Sequence, residues 1–459
     1  MVRLRMWSAA LAVVALGAAS CGSDAATSST TTGTGGASTT VPVTTESTGS
    51  TATGSTAPIA TGSTAPGSTT PGTEPTNVNT VFTDLGPPTG EPIPVGLVNT
   101  EGTPGLDFPE LRIDIEASVD YLNHHGGMGG RPIALQSCKV DGSPETSQSC
   151  AQELVGKHVE LVLLGLDLFP AYDTYTAANL PVIGVLPILP GDYSANALFL
   201  TGGNATTMAA AAAVAKDHFA AQTVAIVSAD NAGANSSEAS LTASLDLAGI
   251  AHTTVKGGDT ETDAGYQGLM RAATKDHPDL LVSLYSDDGC IGTMRARASL
   301  GITIPVITTG ICASASVLEQ VGDDAAGWTF IGVSTPNDSP ELQILQEIMA
   351  PVLGVSPDEV DSTSLGLGGL GIFEVMSLAV FANMIADSGD PVTGASLYDF
   401  LGTETDLTLW PGGAKIDCGA SAKYPAICSF TFPFAEYTAG SGVATIPGLE
   451  AVSALDYLP

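Results

Sequence analysis

Short apolar runs alternate with helical segments over most of the chain, and this alternation limits the fold more than any other feature. The strand-like runs lie at 92–99, 133–137, 159–164, 181–185, 223–227, 280–284, 304–308 and 329–333. Between them apolar residues recur at helical spacing, as Leu111, Ile115, Val119 and Leu122 do. Strict alternation of strand and helix implies parallel, right-handed βαβ units. The sequence therefore predicts an α/β fold built from doubly wound parallel sheets.

The alternating part of the chain is too long for one core. Residues 92–459 exceed what a single hydrophobic core normally supports, so two lobes are expected. A turn at 200–203 separates two series of strands, and we place the break between the lobes there. A last strand is predicted at 429–436.

The N-terminus has the order of an export signal. Arg3 and Arg5 precede an apolar run from Ala9 to Ala19 that is too short to cross a bilayer. Small residues then lead to Cys21, a pattern that resembles the cleavage site of bacterial lipoproteins. We therefore expect a signal peptide at 1–20 and a lipidated Cys21 that anchors the chain to the outer face of the membrane. An ordinary signal with an incidental cysteine is the alternative.

A low-complexity segment follows the signal. Of residues 22–80, 50 are Ser, Thr, Gly, Pro or Ala, and the sequence TGSTAP occurs twice. Such a segment has little apolar surface to bury and cannot offset the entropy lost on ordering. We expect residues 21–91 to form a disordered tether.

The remaining six cysteines form three sequence-local pairs. An exported chain with an even number of cysteines favours disulfides, and six thiols allow 15 pairings. The simplest pairing joins Cys138 with Cys150, Cys290 with Cys312 and Cys418 with Cys428. Because none of them stands in a CxxC or Cys/His spacing, no metal site is predicted.

The stretch 123–155 combines a helix end, a glycine-rich turn, a strand and a second helix. Gly126 and Gly127 supply the positive φ angles that close a helix, Gly129 and Gly130 turn the chain into the next strand, and Cys138 and Cys150 flank the 141–144 turn. This order of features resembles the leucine/isoleucine/valine-binding type of extracytoplasmic solute-binding protein, with Gly126, Gly127, Met128, Gly130, Arg131, Pro132 and Ile133 at the matching turn.

The resemblance implies two lobes connected by three crossings of the chain. It implies a first lobe of 92–201 plus 335–403 and a second of 202–334 plus 404–459, with a crossing near 334–336 and the helix 371–387 packed on the first lobe. It also implies a monomer that captures a small molecule and delivers it to an ABC permease.

Signatures of catalysis and of cofactor binding are weak. The sequence has no nucleophile elbow, P-loop or HExxH motif. Residues 366–371 match G-x-G-x-x-G, but no apolar strand precedes them, so a hinge or helix start is the better interpretation.

Without the signal, the formal charge falls from −34 to −36 because Arg3 and Arg5 are lost, which argues against nucleic acid partners. An acidic surface that serves only solubility or salt tolerance is the better explanation of the charge itself. No enzyme activity and no cofactor are predicted.

Ligands of doubly wound folds bind beyond the carboxyl ends of the strands. The loops there supply the candidate ligand-binding residues, which are Asn99, Thr100, Glu101, Phe108, Leu166, Asp167, Phe169, Asp230, Asn231, Tyr285, Ser286, Asp287, Thr308 and Thr309. For each of them, a solvated loop or a helix cap is the alternative.

The same loops lack the contacts by which the resembled family holds amino acids. The loop after the third strand offers Gly165, Leu166 and Asp167 without a hydroxyl, and Gly310 stands where the resemblance implies an acidic residue. No Lys or Arg stands in these loops. Because a buried anion without a counter-charge is costly, we expect a neutral or cationic ligand whose apolar part contacts Leu166, Phe169 and Phe108. A sensory receptor with the same fold and a surface enzyme are the alternative functions.

Overall fold

The computed structural model describes residues 82, 85–103, 107–333, 339–360, 366–411 and 415–459. All of them belong to one compact unit that contains Asn77–Pro459. The predicted signal peptide, Cys21, most of the predicted tether and the crossing at 334–336 lie outside these ranges, so they stay predictions.

Strands and helices alternate as the sequence predicts. The strands are β1 (Ile93–Thr100), β2 (Ile133–Val140), β3 (Leu161–Leu164), β4 (Val182–Gly184), β5 (Leu198–Phe199), β6 (Thr223–Ala229), β7 (Ala251–Gly257), β8 (Leu280–Leu284), β9 (Val306–Thr309), β10 (Trp328–Ile331), β11 (Leu407–Thr408), β12 (Lys415–Ile416), β13 (Thr431–Phe432), β14 (Phe434–Thr438), β15 (Gly442–Thr445) and β16 (Val452–Ser453). The helices are α1 (Pro109–His124), α2 (Pro144–Gly156), α3 (Tyr172–Ala177), α4 (Gly203–Asp217), α5 (Ala232–Ala248), α6 (Asp263–Thr274), α7 (Asp287–Ser299), α8 (Ala315–Val321), α9 (Pro340–Leu353), α10 (Gly366–Ser388) and α11 (Gly394–Thr403).

The strands form two main sheets. The first has the order β2-β1-β3-β4-β5 and is parallel throughout. The second has the order β15-β14-β10-β9-β8-β6-β7, in which β6 to β10 are parallel and β14 runs antiparallel to both of its neighbours, β10 and β15. The predicted α/β class with parallel sheets is confirmed.

Helices cover both faces of each sheet. On the first sheet, side chains of β1 pack with α1 and α10 on one face, and Val98, Val162 and Leu164 pack with α2 on the other. On the second sheet, α4 and α5 cover one face and α6 and α7 the other. Continuous apolar strands such as Leu161–Leu164 follow from this double coverage, because each side of the strand is buried.

Six of the strands that the structure describes escaped the sequence prediction, namely β5, β7, β11, β12, β15 and β16. β5 has only two residues, and β7 (AHTTVKG) lies at the edge of its sheet with none of its residues buried. The predicted strand 429–436 is divided into β13 and β14 because Pro433, which lacks an N–H, stands between them.

The helix α10 is the longest apolar helix among the described residues. Its part Gly369–Ser388 is long and apolar enough to span a membrane, but 72% of that window is buried in the fold. It runs along α1 so closely that a Cβ on Gly371 would lie 3.0 Å from the carbonyl oxygen of Leu111. The glycine-rich motif at 366–371 therefore begins a core helix, in agreement with one of the two interpretations given above.

The folded body begins earlier than residue 92. Phe82 is fully buried in the cluster that contains β1 and α1. The Gly126 N–H donates to Gly86 O (2.9 Å), and the Gly90 N–H donates to Gly130 O (2.9 Å). The glycine-rich turn therefore binds the end of the predicted tether, because its positive φ angles (φ +86° at Gly126) turn backbone groups toward that segment.

The segment after residue 404 contacts both sheets. Leu407, Trp410 and Ile416 belong to the cluster of β1 and α1, whereas β14 pairs with β10 of the second sheet. The lobe ranges given above stay a prediction. The three disulfides are formed as predicted: Cys138 with Cys150, Cys290 with Cys312, and Cys418 with Cys428.

Candidate functional site

The predicted site residues stand at the carboxyl ends of the strands. β1 ends at Thr100, β6 at Ala229, β8 at Leu284 and β9 at Thr309, and β3 ends just before Gly165. We call these ends the carboxyl edge of each sheet. The edges differ in which side chains are free.

Asn99 and Thr100 are buried and engaged with the loop after β3. The Asn99 amide donates to Phe108 O (2.8 Å) and accepts from Leu166 N–H (3.1 Å), and the Thr100 hydroxyl donates to Leu166 O (2.6 Å). Both side chains thus hold neighbouring loops in place by hydrogen bonds. They determine where Phe108 and Leu166 lie, and Leu166 itself is only 8% exposed.

Glu101 is paired with two cations. Its side chain is buried and binds Arg112 Nε (2.7 Å) of α1 and Lys139 Nζ (2.9 Å) of β2. Burial raises its pKa, but the hydrogen bonds from Arg112, Lys139 and Asn99 outweigh burial and leave the pKa below its usual value. The sequence argument counted only Lys and Arg within these loops, whereas the counter-charges come from outside them: Lys139 stands at the end of β2, and Arg112 reaches the loop from the first helix.

Asp167 is buried in the loop after β3. Its Oδ1 accepts from the Ser147 hydroxyl (2.7 Å) and from the Phe169 N–H (3.0 Å), and its Oδ2 has no partner. Burial raises the pKa of Asp167, Ser147 and the Phe169 N–H lower it, and the nearby charge of Asp192 raises it further. The net direction is upward, so this carboxyl holds a proton at higher pH than an ordinary aspartate.

The sequence analysis did not single out Asp192, in the turn after β4. This side chain is 3% exposed, and its Oδ2 accepts from the N–H groups of Ile188 and Leu189, both at 2.7 Å. Its Oδ1 accepts from the Tyr172 hydroxyl (2.8 Å) of α3. The Pro-Gly-Asp sequence at 190–192 indicates a turn, but it gives no sign that α3 approaches it.

Apolar side chains remain exposed around these loops. Phe169 is 44% and Leu189 37% exposed, while Phe108 at the start of α1 is partly buried. The loop after β4 also touches the start of α4, where a Cβ on Gly203 would lie 2.9 Å from Pro187 O. The first sheet thus presents an apolar surface next to the first helix that covers the second sheet.

The polar candidates of the second sheet divide into engaged and free groups. Asn231 caps α5 by accepting from Ala234 N–H (2.8 Å) and donates to Asp259 (2.7 Å). Thr308 is buried and donates to Ser283 O (3.0 Å). Tyr285 is 3% exposed and stacks edge to face with Tyr266, so its ring belongs to the core.

Ser286, Thr309 and Asp230 are the freer polar groups of this edge. Ser286 begins α7 and Thr309 a 3-10 turn, and neither side chain caps its own helix. Asp230 is exposed and accepts from Asn235 (3.3 Å). The backbone of Asp287 starts α7, but its side chain is outside the described part of the structure. Ile311, 57% exposed, adds an apolar group beside Thr309.

A second lysine stands at the carboxyl edge of the second sheet. Lys256 in β7 binds Glu238 (2.8 Å) and donates to Asn235 (2.6 Å). Each sheet therefore carries a paired lysine at this edge, which residue spacing did not reveal. Among the side chains that the structure describes, no group of three His, Cys, Asp or Glu residues is placed to hold a metal ion.

Comparison with protein families matches residues 92–415 to a family described as periplasmic binding protein. No curated protein matches the chain. Among solved structures, an ABC transporter substrate-binding protein from Sphaerobacter thermophilus is 21% identical, with a TM-score of 0.60 over 80% of this chain and 99% of that one.

The descriptions of two further solved structures name a ligand. A solute-binding protein of an ABC transporter from Rhodopseudomonas palustris, in complex with p-hydroxybenzoic acid, is 17% identical (TM-score 0.55; 79% of this chain and 98% of that one). A leucine-binding protein from Thermotoga maritima is 11% identical (TM-score 0.53; 79% and 99%). At these identities the likeness shows the fold.

Proposed function

Because this chain belongs to the periplasmic binding protein family, we propose that it captures a small uncharged molecule with an apolar part between its two lobes and delivers it to an ABC importer. The family gives it a solute-binding role outside the cytoplasm. The nature of the ligand, the delivery step, the lipid anchor at Cys21 and the monomeric state are our proposals.

One observation carries the choice of ligand: between them, the two carboxyl edges present exposed apolar side chains and two hydroxyls that cap no helix. Phe169, Leu189 and Ile311 are exposed, and Ser286 and Thr309 offer hydroxyls. The charged groups Glu101 and Lys256 are paired with other side chains. A cationic ligand is the second candidate, because Asp230 is exposed at the second sheet.

Capture requires no chemical step from the protein. Two lobes that close on a ligand by hinge motion make contacts from both edges at once. The closed form then presents a surface that a permease can distinguish from the open form. The tether of Ser, Thr, Gly, Pro and Ala residues gives the folded body reach from an anchor in the membrane.

Thermal unfolding of the full chain with intact disulfides tests this proposal. The panel contains neutral amides, sugars, polyamines, amino acids and aromatic acids. A ligand present at 100 times its Kd adds about 2.7 kcal/mol to the free energy of unfolding, which raises Tm by several degrees. An increase with neutral compounds supports the proposal, and an increase with polyamines alone supports the cationic alternative.

Phe169→Ala is the matching variant, with Leu247→Ala as its control. Leu247 is also exposed (58%) but lies near the end of α5, away from the carboxyl edge. Phe169→Ala should raise the Kd of the ligand identified by the panel about tenfold, whereas Leu247→Ala should leave that Kd unchanged. Equal effects of the two substitutions, or tight binding of branched-chain amino acids, would contradict the proposed site.

A further inference from the structure

Backbone N–H groups at the carboxyl edge of the first sheet are already bound by the protein's own carboxyl groups. The Phe169 N–H, after β3, donates to Asp167 (3.0 Å). The N–H groups of Ile188 and Leu189, after β4, both donate to Asp192 (2.7 Å). β3 and β4 are neighbours in the sheet, so the two loops lie side by side.

Such N–H groups are what an anionic ligand needs. Backbone donors that converge at the end of a strand or the start of a helix are a common way to hold a carboxylate or phosphate. Here the donors point to buried oxygens of the protein. An incoming carboxylate would find them occupied and would approach the negative charge of Asp192 in a poorly solvated place.

Both aspartates accept hydrogen bonds from helices of the first sheet. Asp167 accepts from Ser147 of α2 (2.7 Å), and Asp192 accepts from Tyr172 of α3 (2.8 Å). A local turn would explain the bond from Leu189 N–H to Asp192, since those residues are three apart. It does not require the additional bonds from Ile188 N–H and from Tyr172, 20 residues away. The carboxyl groups are therefore fixed before any ligand arrives.

We propose that Asp167 and Asp192 are specificity-determining residues that exclude carboxylate ligands by occupying the backbone donors of these two loops. This inference rests on the proposed function and specifies the ligand class of the same site. It predicts that the cleft prefers an amide to the carboxylic acid of the same shape.

The test is calorimetric titration of the full chain with two matched pairs, benzamide with benzoate and 4-methylpentanamide with 4-methylpentanoate. The variants are Asp192→Asn and Asp167→Asn. The control is Asp173→Asn, which removes the same charge from an exposed position on α3. Thermal unfolding of each variant verifies that it is folded.

The wild type should bind the amide at least tenfold more tightly than the acid. Asp192→Asn should reduce this preference about tenfold, because it removes the negative charge that opposes the acid, and Asp173→Asn should retain it. A wild type that prefers the acids would overturn the inference. So would a preference in Asp192→Asn equal to that in Asp173→Asn.

A second measurement needs no ligand. Hydrogen exchange of the Ile188, Leu189 and Phe169 amides should be slow in the wild type and faster for Ile188 and Leu189 in Asp192→Asn. If no probe binds the wild type or any variant, ligand capture as proposed above fails, and the inference that rests on it fails as well. If the probes do bind, fast exchange of these amides in the wild type would still reject the inference, because the donors would then be open to a ligand.

Discussion

The two sheets bury opposite charges. Around the first sheet and its helices, the buried charged residues are all acids, namely Glu101, Asp114, Asp167, Asp192 and Glu374. Around the second sheet, the buried charged residue among those described is Arg297, which donates to the carbonyl oxygens of Ile304 (3.0 Å) and Ala326 (2.7 Å). A buried carboxyl can lose its charge by taking up a proton, but an arginine stays charged and needs acceptors.

This difference gives the two halves different roles at the proposed site. The first sheet keeps its polar groups inside, bound to one another, and exposes Phe169 and Leu189. The second sheet leaves the hydroxyls of Ser286 and Thr309 without a capping role. We infer that the first edge supplies apolar contact and the second supplies hydrogen bonds.

The largest expected effect is that of substituting Asp114 on α1, a buried acid of the first sheet. The size of this effect should depend on pH. Burial raises the pKa of Asp114 to about 7, and the charge of Glu110 adds to this. A raised pKa contributes stability below pH 4 that is lost as the pH rises through 7. Asp114→Asn should therefore increase the free energy of unfolding by about 3–4 kcal/mol at pH 8.5 and by little at pH 4. Urea unfolding at both pH values measures this, and an equal gain at both would refute it.

The next effect is at Glu101, whose counterpart in the second sheet is Glu238. Glu101→Gln leaves Arg112 mostly buried with a weaker partner and should cost about 3 kcal/mol. Glu238→Gln, whose partner Lys256 is 41% exposed, should cost at most about 1 kcal/mol. Because the pKa of Glu101 is lowered, the difference should shrink as the pH falls below 4.5. Denaturant unfolding of both variants at pH 7 and pH 4 is the measurement.

Substitution of Arg297 tests how the second sheet stabilises its buried charge. Arg297→Met keeps much of the side-chain volume but leaves the carbonyl oxygens of Ile304 and Ala326 without this donor, at a cost of about 2 kcal/mol. The loss should be the same at pH 4 and pH 8, because arginine does not titrate there whereas ordinary carboxyl groups do near pH 4. A loss that changes with pH would show that acidic neighbours, rather than the carbonyls, stabilise this residue.

The smallest expected changes in stability distinguish a hydroxyl that is hydrogen-bonded inside the protein from one that is not. Thr308→Val removes a buried bond to Ser283 O and should cost about 1 kcal/mol. Ser286→Ala removes a hydroxyl that does not cap α7 and should change stability by less than about 0.5 kcal/mol. If Ser286 binds ligand, its substitution should instead raise the Kd, as titration with the compound found by thermal unfolding would show.

The sequence by itself determined the local features of this protein. β8 covers the predicted residues 280–284, the three disulfides join the nearest cysteines, and the glycines at 126 and 127 have the positive φ angles that the turn requires. These features follow from residue type and short-range spacing. The positions of the strand ends were therefore predictable, and with them the place of the candidate site.

Only the tertiary structure decided which of those residues are free. Lys139 reaches Glu101 from the neighbouring strand, and Tyr172 reaches Asp192 across 20 residues of sequence. Phe82 fills the first core although its surroundings in sequence are those of a tether. A residue's type sets what it can bind, but its partners are brought by strand order and helix packing, so charge balance at the site required the folded chain.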